Sequence, residues 1–407
     1  MKWAPRALAA GVFLVLVACV SHAPSATTTL SKSDARLVRY LESPERERWQ
    51  KPDEVVRALH LAEGQTVADL GAGSGYFARR FGAAVGPRGV VDAADVDPEL
   101  LGYLQGTLDS RAQANVIPRR VAADDPALSP ASTNLVFLCN TYHQLKDRVS
   151  YLRKLAPGLK PDGRVAVVDF HKREQILEGP PFAEKVDRET VVREFREAGF
   201  ELDREEDFLP YQYFLVFRSA LSDSFDLLAR SVSEVMRSGA GVREEQWQVA
   251  ALLSQYLQGR ALEAKFQRPN PALPVTTYLL HTDPQGRFSI AALVFQPHAR
   301  TTVHDHQSWV VWGTYTGEER ETRYRKAGTA ADGFPQLVPQ WSQVFAAGDV
   351  SFIDPPPADV HDVENVGDSV SVSLHVHATD IAKQARNSYD LKRRIVKSFV
   401  QSYEPAM

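Results

Sequence analysis

The 407-residue chain reads as two folded units in series, a doubly wound α/β domain followed by an all-β sandwich or barrel. Three observations predict this. The length exceeds what one ordinary core organises. Between Pro52 and about Arg218, short apolar runs alternate with segments of helical periodicity, the pattern of a parallel sheet covered by helices. From Val275 onward apolar and polar residues alternate between turns, the pattern of short antiparallel strands. Hydrophobic residues make up 44% of the chain and charged residues 24%, the composition of a folded protein. A net charge of −4, with no basic run, gives no electrostatic reason to expect nucleic acid.

The N-terminus comes first. Lys2 and Arg6 flank the start of an unbroken apolar run, Ala7 to Val20. It is shorter than the ~20 residues of a membrane-spanning helix and reads as a secretion signal. It ends in "LVAC" (Leu16 to Cys19), which resembles the bacterial lipobox. That resemblance implies a signal over 1–19, lipidation of Cys19 and a place in the cell envelope, with membrane contact through a lipid anchor or an uncleaved signal. An ordinary signal peptide is an alternative; so is a misassigned start, which would leave the protein cytoplasmic. Residues 20–43, including the polar run "SHAPSATTTLSKS", read as a tether. Besides Cys19 there is only Cys139, so a lipidated Cys19 leaves no disulfide within the chain.

In the α/β unit, "TVADL", "VVDAAD", "LVFLC" and "RVAVVDF" read as strands. "DRETVVREFREAGF" reads as a helix capped by Asp187 and ended by Gly199, with Val191, Val192 and Phe195 on one face. The chemistry sits in "VADLGAGSGYF". A strand ends at Asp69, and Gly71, Gly73 and Gly75 turn the chain so that its backbone can approach a ligand. Asp95 ends the next strand about twenty residues on, where a carboxylate can accept both hydroxyls of a ribose.

These motifs, in this order, resemble the class I S-adenosylmethionine-dependent methyltransferases over residues 44–218. The resemblance implies a Rossmann-like fold, S-adenosylmethionine as cofactor and a small-molecule methyl acceptor. It places Asp69, Gly71, Gly73, Gly75 and Asp95 at the cofactor, with Asp124 or Asp125 in "VAADDPALSP" reading the adenine amino group. "NLVFLCNTYHQL" matches the family's fourth strand and the segment after it, which brings Asn140 to the cofactor site; "LAPGLKPDGRVAVVDF" matches the turn into the fifth, and "FLPYQYFLVF" its closing hairpin. Asn134 and Asn140 stand where the family often has aspartate, which argues against a carboxylate base there. His143 and His171 follow strand ends, where they face either substrate or only a loop.

Residues 221–272 form a helical lead-in and linker, with amphipathic runs in "DSFDLLARSVSEVM" and "WQVAALLSQYL" before "QRPNPALP" breaks the helix. The β domain then spans 273–385, and 386–407 reads as a C-terminal tail.

Six of the eleven histidines lie after Pro297: 298, 304, 306, 361, 375 and 377. In "TTVHDHQSW", His304 and His306 are two apart on a strand, so both face one side. "GDVSFIDPPPADVHDVEN" supplies His361. Together these stretches resemble the double motif of cupins, which implies a double-stranded β-helix. The glutamate usual after the second histidine is replaced by Trp309, Val310 and Val311, leaving an all-histidine set. That set resembles the cysteine dioxygenase-like thiol dioxygenases, over residues 221–383. The resemblance implies ferrous iron held by His304, His306 and His361, and oxidation of a small thiol by O2 to a sulfinate. It also implies a Ser373, His375, His377 relay toward oxygen and substrate, with His377 in place of the family's tyrosine. His375 and His377 share a face, and one of them is expected to turn inward. The arginine that clamps a cysteine carboxylate has no counterpart before Arg287; Arg300 is the substitute in view. The competing reading is a sensor, with a degenerate methyltransferase domain and a cupin that holds metal without turnover. One tension stands: S-adenosylmethionine is cytoplasmic and the N-terminus looks exported. A retained signal, a cofactor pocket with another role, or a wrong start would each resolve it.

Overall fold

The computed structural model describes residues 30–108, 113–259 and 261–405. The signal, the lipobox at Cys19 and the first part of the expected tether lie outside them. Three short helices come first: α1 (Lys32–Leu41), α2 (Pro44–Gln50) and α3 (Pro52–Ala58). The α/β unit follows as β1 (Thr66–Leu70), α4 (Ala78–Val85), β2 (Val90–Asp95), α5 (Pro98–Thr107), β3 (Val116–Arg120) and β4 (Thr133–Cys139). It continues through α6 (Arg148–Arg153), β5 (Leu159–Phe170), α7 (Arg188–Glu197), β6 (Phe200–Glu206) and β7 (Gln212–Ser219). The sheet order is β3-β2-β1-β4-β5-β7-β6. The first five strands are parallel, and β7 enters antiparallel to both β5 and β6. Val67 to Leu70 are all buried, as a central strand covered on both faces requires. Helix α7 has Asp187 as its cap, accepting from the Thr190 amide at 2.8 Å, and Gly199 follows its end at φ 93°.

One expectation is corrected here. Residues 32–41, placed in a tether, form α1. Ser31 caps it by accepting from the Asp34 amide at 3.1 Å, Val38 is buried, and the Ser31 amide donates to Glu99 at 2.9 Å. One buried residue in ten is too thin an apolar stripe to stand out from polar chain.

Helices α8 (Phe225–Ser238) and α9 (Val242–Leu257) lead to the β unit. Its strands are β8 (Val275–Thr282), β9 (Ser289–Phe295), β10 (Val303–His304), β11 (Val310–Thr316), β12 (Glu318–Thr329) and β13 (Pro335–Ala346). Then come β14 (Val350–Ile353), β15 (Val360–Asn365), β16 (Ser371–His377), β17 (Arg386–Asp390) and β18 (Ile395–Phe399). They form two sheets, β13-β12-β15-β10-β17-β18 and β14-β11-β16-β9-β8, in which every pairing is antiparallel. Phe295, Trp312, Phe345 and Val363, drawn from both sheets, meet in one apolar cluster between them.

A second correction concerns the end of the chain. The tail expected from residue 386 instead begins with β17 and β18, which complete the six-stranded sheet beside β10. Charged residues surround these short strands, and β18 is an exposed edge; such strands carry little periodic signal.

Candidate functional site

The first candidate site is the glycine turn after β1. Gly71 and Gly75 sit at φ 80° and 82°, where a side chain would be strained and would also run into Thr141 and Leu104. Asp95 accepts from the Gly73 amide at 2.7 Å and from the Asp97 amide at 3.0 Å, so it shapes the loop. Asp69 is buried with one carboxyl oxygen unpartnered. Burial above all, then the nearby Asp95, push it up to about 7, against the pull of Arg46. Arg46, unnoticed in the sequence, is buried with its guanidinium 3.9 Å from the centre of the Tyr76 ring. It donates to the Leu41 carbonyl at 3.0 Å and ties α1 and α2 to this turn.

Asn140, at φ 57°, belongs to a polar chain instead of standing free. Gln50 Nε2 donates to Gln212 at 2.6 Å, and Gln212 Nε2 donates to Asn140 Oδ1 at 2.5 Å. His143 Nδ1 lies 3.0 Å from both oxygens of the buried Asp169, and the His171 amide donates to the Tyr211 carbonyl. Asp124 and Asp125 are exposed in the segment after β3; Asp125 accepts from the Ala127 amide at 2.8 Å and lines a cleft facing α6 and α8.

The second candidate site is a cavity of about 260 Å³ in the β unit. His304, His306 and His361 all line it, and their ligand atoms lie within 4.8 Å of one another. His304 on β10 pairs directly with His361 on β15, and His306 follows two residues on. Asp305 between them points the opposite way, accepting from Tyr389 Oη at 2.7 Å and from the Asn387 amide at 2.7 Å. His304 Nδ1 donates to the Thr302 carbonyl at 2.8 Å, and His361 Nδ1 donates to Glu321 at 3.0 Å. Both therefore keep a lone pair on Nε2. Burial resists ionisation of Glu321, but the His361 N–H and Arg323 hold it down at about 2. Burial, then the neighbouring histidines, press His304 and His306 well below the usual histidine range, so both are neutral at pH 7.

Both His375 and His377 line the cavity, where one was expected to. His377 stacks on His306 at 5.3 Å, and Ser373 Oγ lies 3.0 Å from His375 Nε2. Arg300 lines the cavity too, but its guanidinium is paired with Asp362 through two contacts of 2.8 Å. A second cation of the cavity is Arg386 on β17, which sequence reasoning assigned to a tail. It is 3% exposed, donates to His306 Nδ1 at 3.2 Å and to Gln401 at 2.9 Å, and keeps Nε unpartnered. Burial lowers it to about 10, so it stays charged at pH 7. Tyr403, also lining the cavity, has an unpartnered hydroxyl.

Residues 68–165 match the family model for a methyltransferase domain. A ubiquinone/menaquinone biosynthesis C-methyltransferase of Vibrio vulnificus (strain YJ016) is 30% identical over 110 residues, 27% of this chain and 42% of that protein. The corresponding protein of Saccharophagus degradans is 25% identical over 118 residues, 29% of this chain and 47% of its own length. The chain thus spans less than half the length of these relatives. Among solved structures, a SAM-dependent methyltransferase from Aquifex aeolicus shares 25% identity, covering 46% of this chain and 98% of its own, with a TM-score of 0.43.

Proposed function

We propose, from a first domain that is a methyltransferase domain of the S-adenosylmethionine-dependent kind, that the chain carries two activities. The first transfers a methyl group from S-adenosylmethionine to a small-molecule acceptor. The second, in a β domain we read as a cupin, uses ferrous iron and O2 to oxidise a small thiol to a sulfinate. The observation that carries the second reading is the convergence of His304, His306 and His361 on one cavity.

The donor set fits such an ion. His306 Nε2 and His361 Nε2 are 2.8 Å apart. Two ligands at about 2.1 Å and a right angle stand about 3.0 Å apart, so this spacing suits adjacent positions on one metal. With Arg386 donating to His306 Nδ1, the proton between the two Nε2 atoms is the one a metal would replace. When bound, the ion would supply the redox chemistry that imidazoles lack. The protein's own groups then orient the thiol. Arg386, with Gln401 beside it and Tyr403 in the same cavity, presents a desolvated cation suited to a carboxylate. Among the described residues no aspartate or glutamate lines the cavity to receive an ammonium. We therefore propose a thiol carboxylate without an amino group as substrate, with Ser373, His375 and His377 around its reacting end. We also place the chain at the cell envelope through a lipidated Cys19; Cys19→Ser should abolish fatty-acid labelling.

The test measures iron content and oxygen uptake with 3-sulfanylpropanoate and with 2-aminoethanethiol. The wild-type protein should use the carboxylate thiol, and Arg386→Ala should lose that preference while retaining iron. His361→Ala should lose iron, while His298→Ala, exposed and paired with Asp368, should keep it. Full iron in His361→Ala would sink the site. Iron without oxygen uptake on any thiol would turn the reading to a metal-binding sensor.

A further inference from the structure

The rim above the glycine turn carries apolar side chains that belong to no core. On α1, Val38 is buried and Leu41 turns inward, where a side chain added at Gly73 would meet it. Leu37 and Tyr40, three apart and therefore on one face, are exposed. The segment 171–185, which follows β5, adds Leu177, 88% exposed, and the exposed Phe182.

The two stretches are neighbours. Phe170, at the end of β5, meets Trp49 of α2 with ring centres 5.5 Å apart. Gly179 lies against the same Phe170 ring, and Lys185 Nζ stands 5.6 Å from its centre. Lys185 Nζ also donates to the Ile176 carbonyl at 2.6 Å, which folds the segment back on itself. Tyr40 in turn faces Glu178 and the Gly179 amide. Exposed apolar side chains scattered singly are ordinary; four gathered at one rim are not.

The cations here are placed as at a headgroup boundary. Arg36 and Arg39 precede Leu37 and Tyr40, and Lys172 Nζ stands 5.5 Å from the centre of the Phe182 ring, all of them exposed. Asp34, Glu174 and Glu178 keep the rim from being strongly basic, so what it offers is chiefly apolar contact. The chain that precedes it points to what covers it. The apolar run Ala7 to Val20 lies outside the described residues, and it contains Cys19, proposed above to carry lipid. From Cys19 to Ser31, the cap of α1, the chain reaches at most about 40 Å. An anchor at Cys19 thus holds α1 within that distance of a bilayer.

We propose that α1 and the segment 171–185 seat the α/β unit on a lipid surface, with Leu37, Tyr40, Leu177 and Phe182 entering the boundary between headgroups and acyl chains. The proposal rests on the envelope placement given above. Ligands of open α/β sheets bind outside the carboxyl ends of the strands, and β1 and β5 end at this rim. The methyl acceptor would then arrive from the lipid side.

The test places the full 407-residue chain on vesicles of phosphatidylethanolamine and phosphatidylglycerol. The vesicles include a phospholipid with a diazirine in its acyl chain. Light turns the diazirine into a carbene that inserts into side chains sharing the acyl region, and mass spectrometry of the digest maps them. Label should fall on residues 37–40 and 177–182. It should spare Val338, Trp341 and Val344 of β13, which are also exposed but belong to the other unit. Combining L177S with F182S should cut the label on residues 37–40 by about tenfold or more, the order set by two lost apolar side chains. That variant should still sediment with the vesicles and unfold as wild type does. Label confined to the N-terminal run, label equally strong on β13, or a double variant labelled like wild type would overturn the proposal. Crosslinks between chains through Leu177 would overturn it too, by giving the rim to a second copy. Failure of lipidation alone would show as fatty-acid label retained in Cys19→Ser. It would leave this map unchanged, since the uncut apolar run still anchors the chain. A chain that stays off the vesicles altogether would overturn both readings.

Discussion

At the histidine cavity, each imidazole is oriented by what its second nitrogen touches. His361 owes its free Nε2 to Glu321, and His304 owes its own to a backbone carbonyl. Glu321→Ala should therefore weaken metal binding by roughly 10–100-fold without touching a ligand, measured by competition against a chelator of known affinity. Unchanged affinity would show that Glu321 only fills space. The glycine turn gives a second residue-scale prediction, on pH. Because the folded pKa of Asp69 is raised to about 7, its neutral form is favoured: that contribution to stability is fullest below the ordinary carboxylate value and fades as pH rises to about 7. A cationic cofactor beside it favours the ionised form. Affinity for S-adenosylmethionine should climb as pH rises through about 7, by at most about tenfold per unit, and Asp69→Asn should flatten the slope. A wild-type affinity level across that range would remove Asp69 from the cofactor. The histidines were legible because a two-residue spacing on a strand states its own geometry. Arg386 was not, because its place depends on pairing with a strand some eighty residues earlier, and a single chain carries no mark of that partner.

The strand that delivers Arg386 is fastened by one side chain. Asp305 is buried and accepts from the Asn387 amide, Asn387 Nδ2 at 3.0 Å and Tyr389 Oη, all on β17, with Lys326 at 3.6 Å. Burial works against its ionised form, but the Asn387 amide and side chain, with Tyr389, lower its pKa overall. A depressed pKa means stability present above the ordinary carboxylate value and lost as pH falls through the folded one. The β domain should loosen in acid for this reason, and Asp305→Ala should cost about 1.5–3 kcal/mol at neutral pH, seen by denaturant unfolding. Arg386 should then leave the cavity, so the same variant should lose oxygen uptake on a thiol carboxylate more than it loses iron. Equal loss of both would show that β17 braces the whole site. The same element explains a failed expectation. The strands of the α/β unit were readable because burial on both faces forces continuous apolar runs; β18 is an edge whose residues are mostly exposed, and α1 buries one residue in ten.

For the molecule as a whole, the sequence showed two units and a helical lead-in, but not that the lead-in belongs to both. Helix α9 is buried almost throughout its second half, from Val249 to Leu257. Its Gln255 Nε2 donates to the Ala156 carbonyl at 2.7 Å and the Leu159 carbonyl at 3.0 Å, where β5 begins. Tyr256 and Leu257 share one apolar core with Leu155 and Val165 of the α/β unit and with Ile290, Val311 and Leu374 of the β unit. Gly313 on β11 is what lets Leu257 come so close. An amphipathic pattern predicts a covered face, not that one helix is covered from two sides. The coupling has a direct consequence. Gln255→Ala strips a buried donor from both carbonyls and should cost about 1–3 kcal/mol. Since the helix serves both cores, that loss should lower hydrogen-exchange protection on β5 and on β11 together. Protection lost on β5 alone would mean that the two units unfold independently, with α9 belonging only to the first. A matched loss on both strands would make the seam a thermodynamic joint through which a ligand bound in one unit stabilises the other.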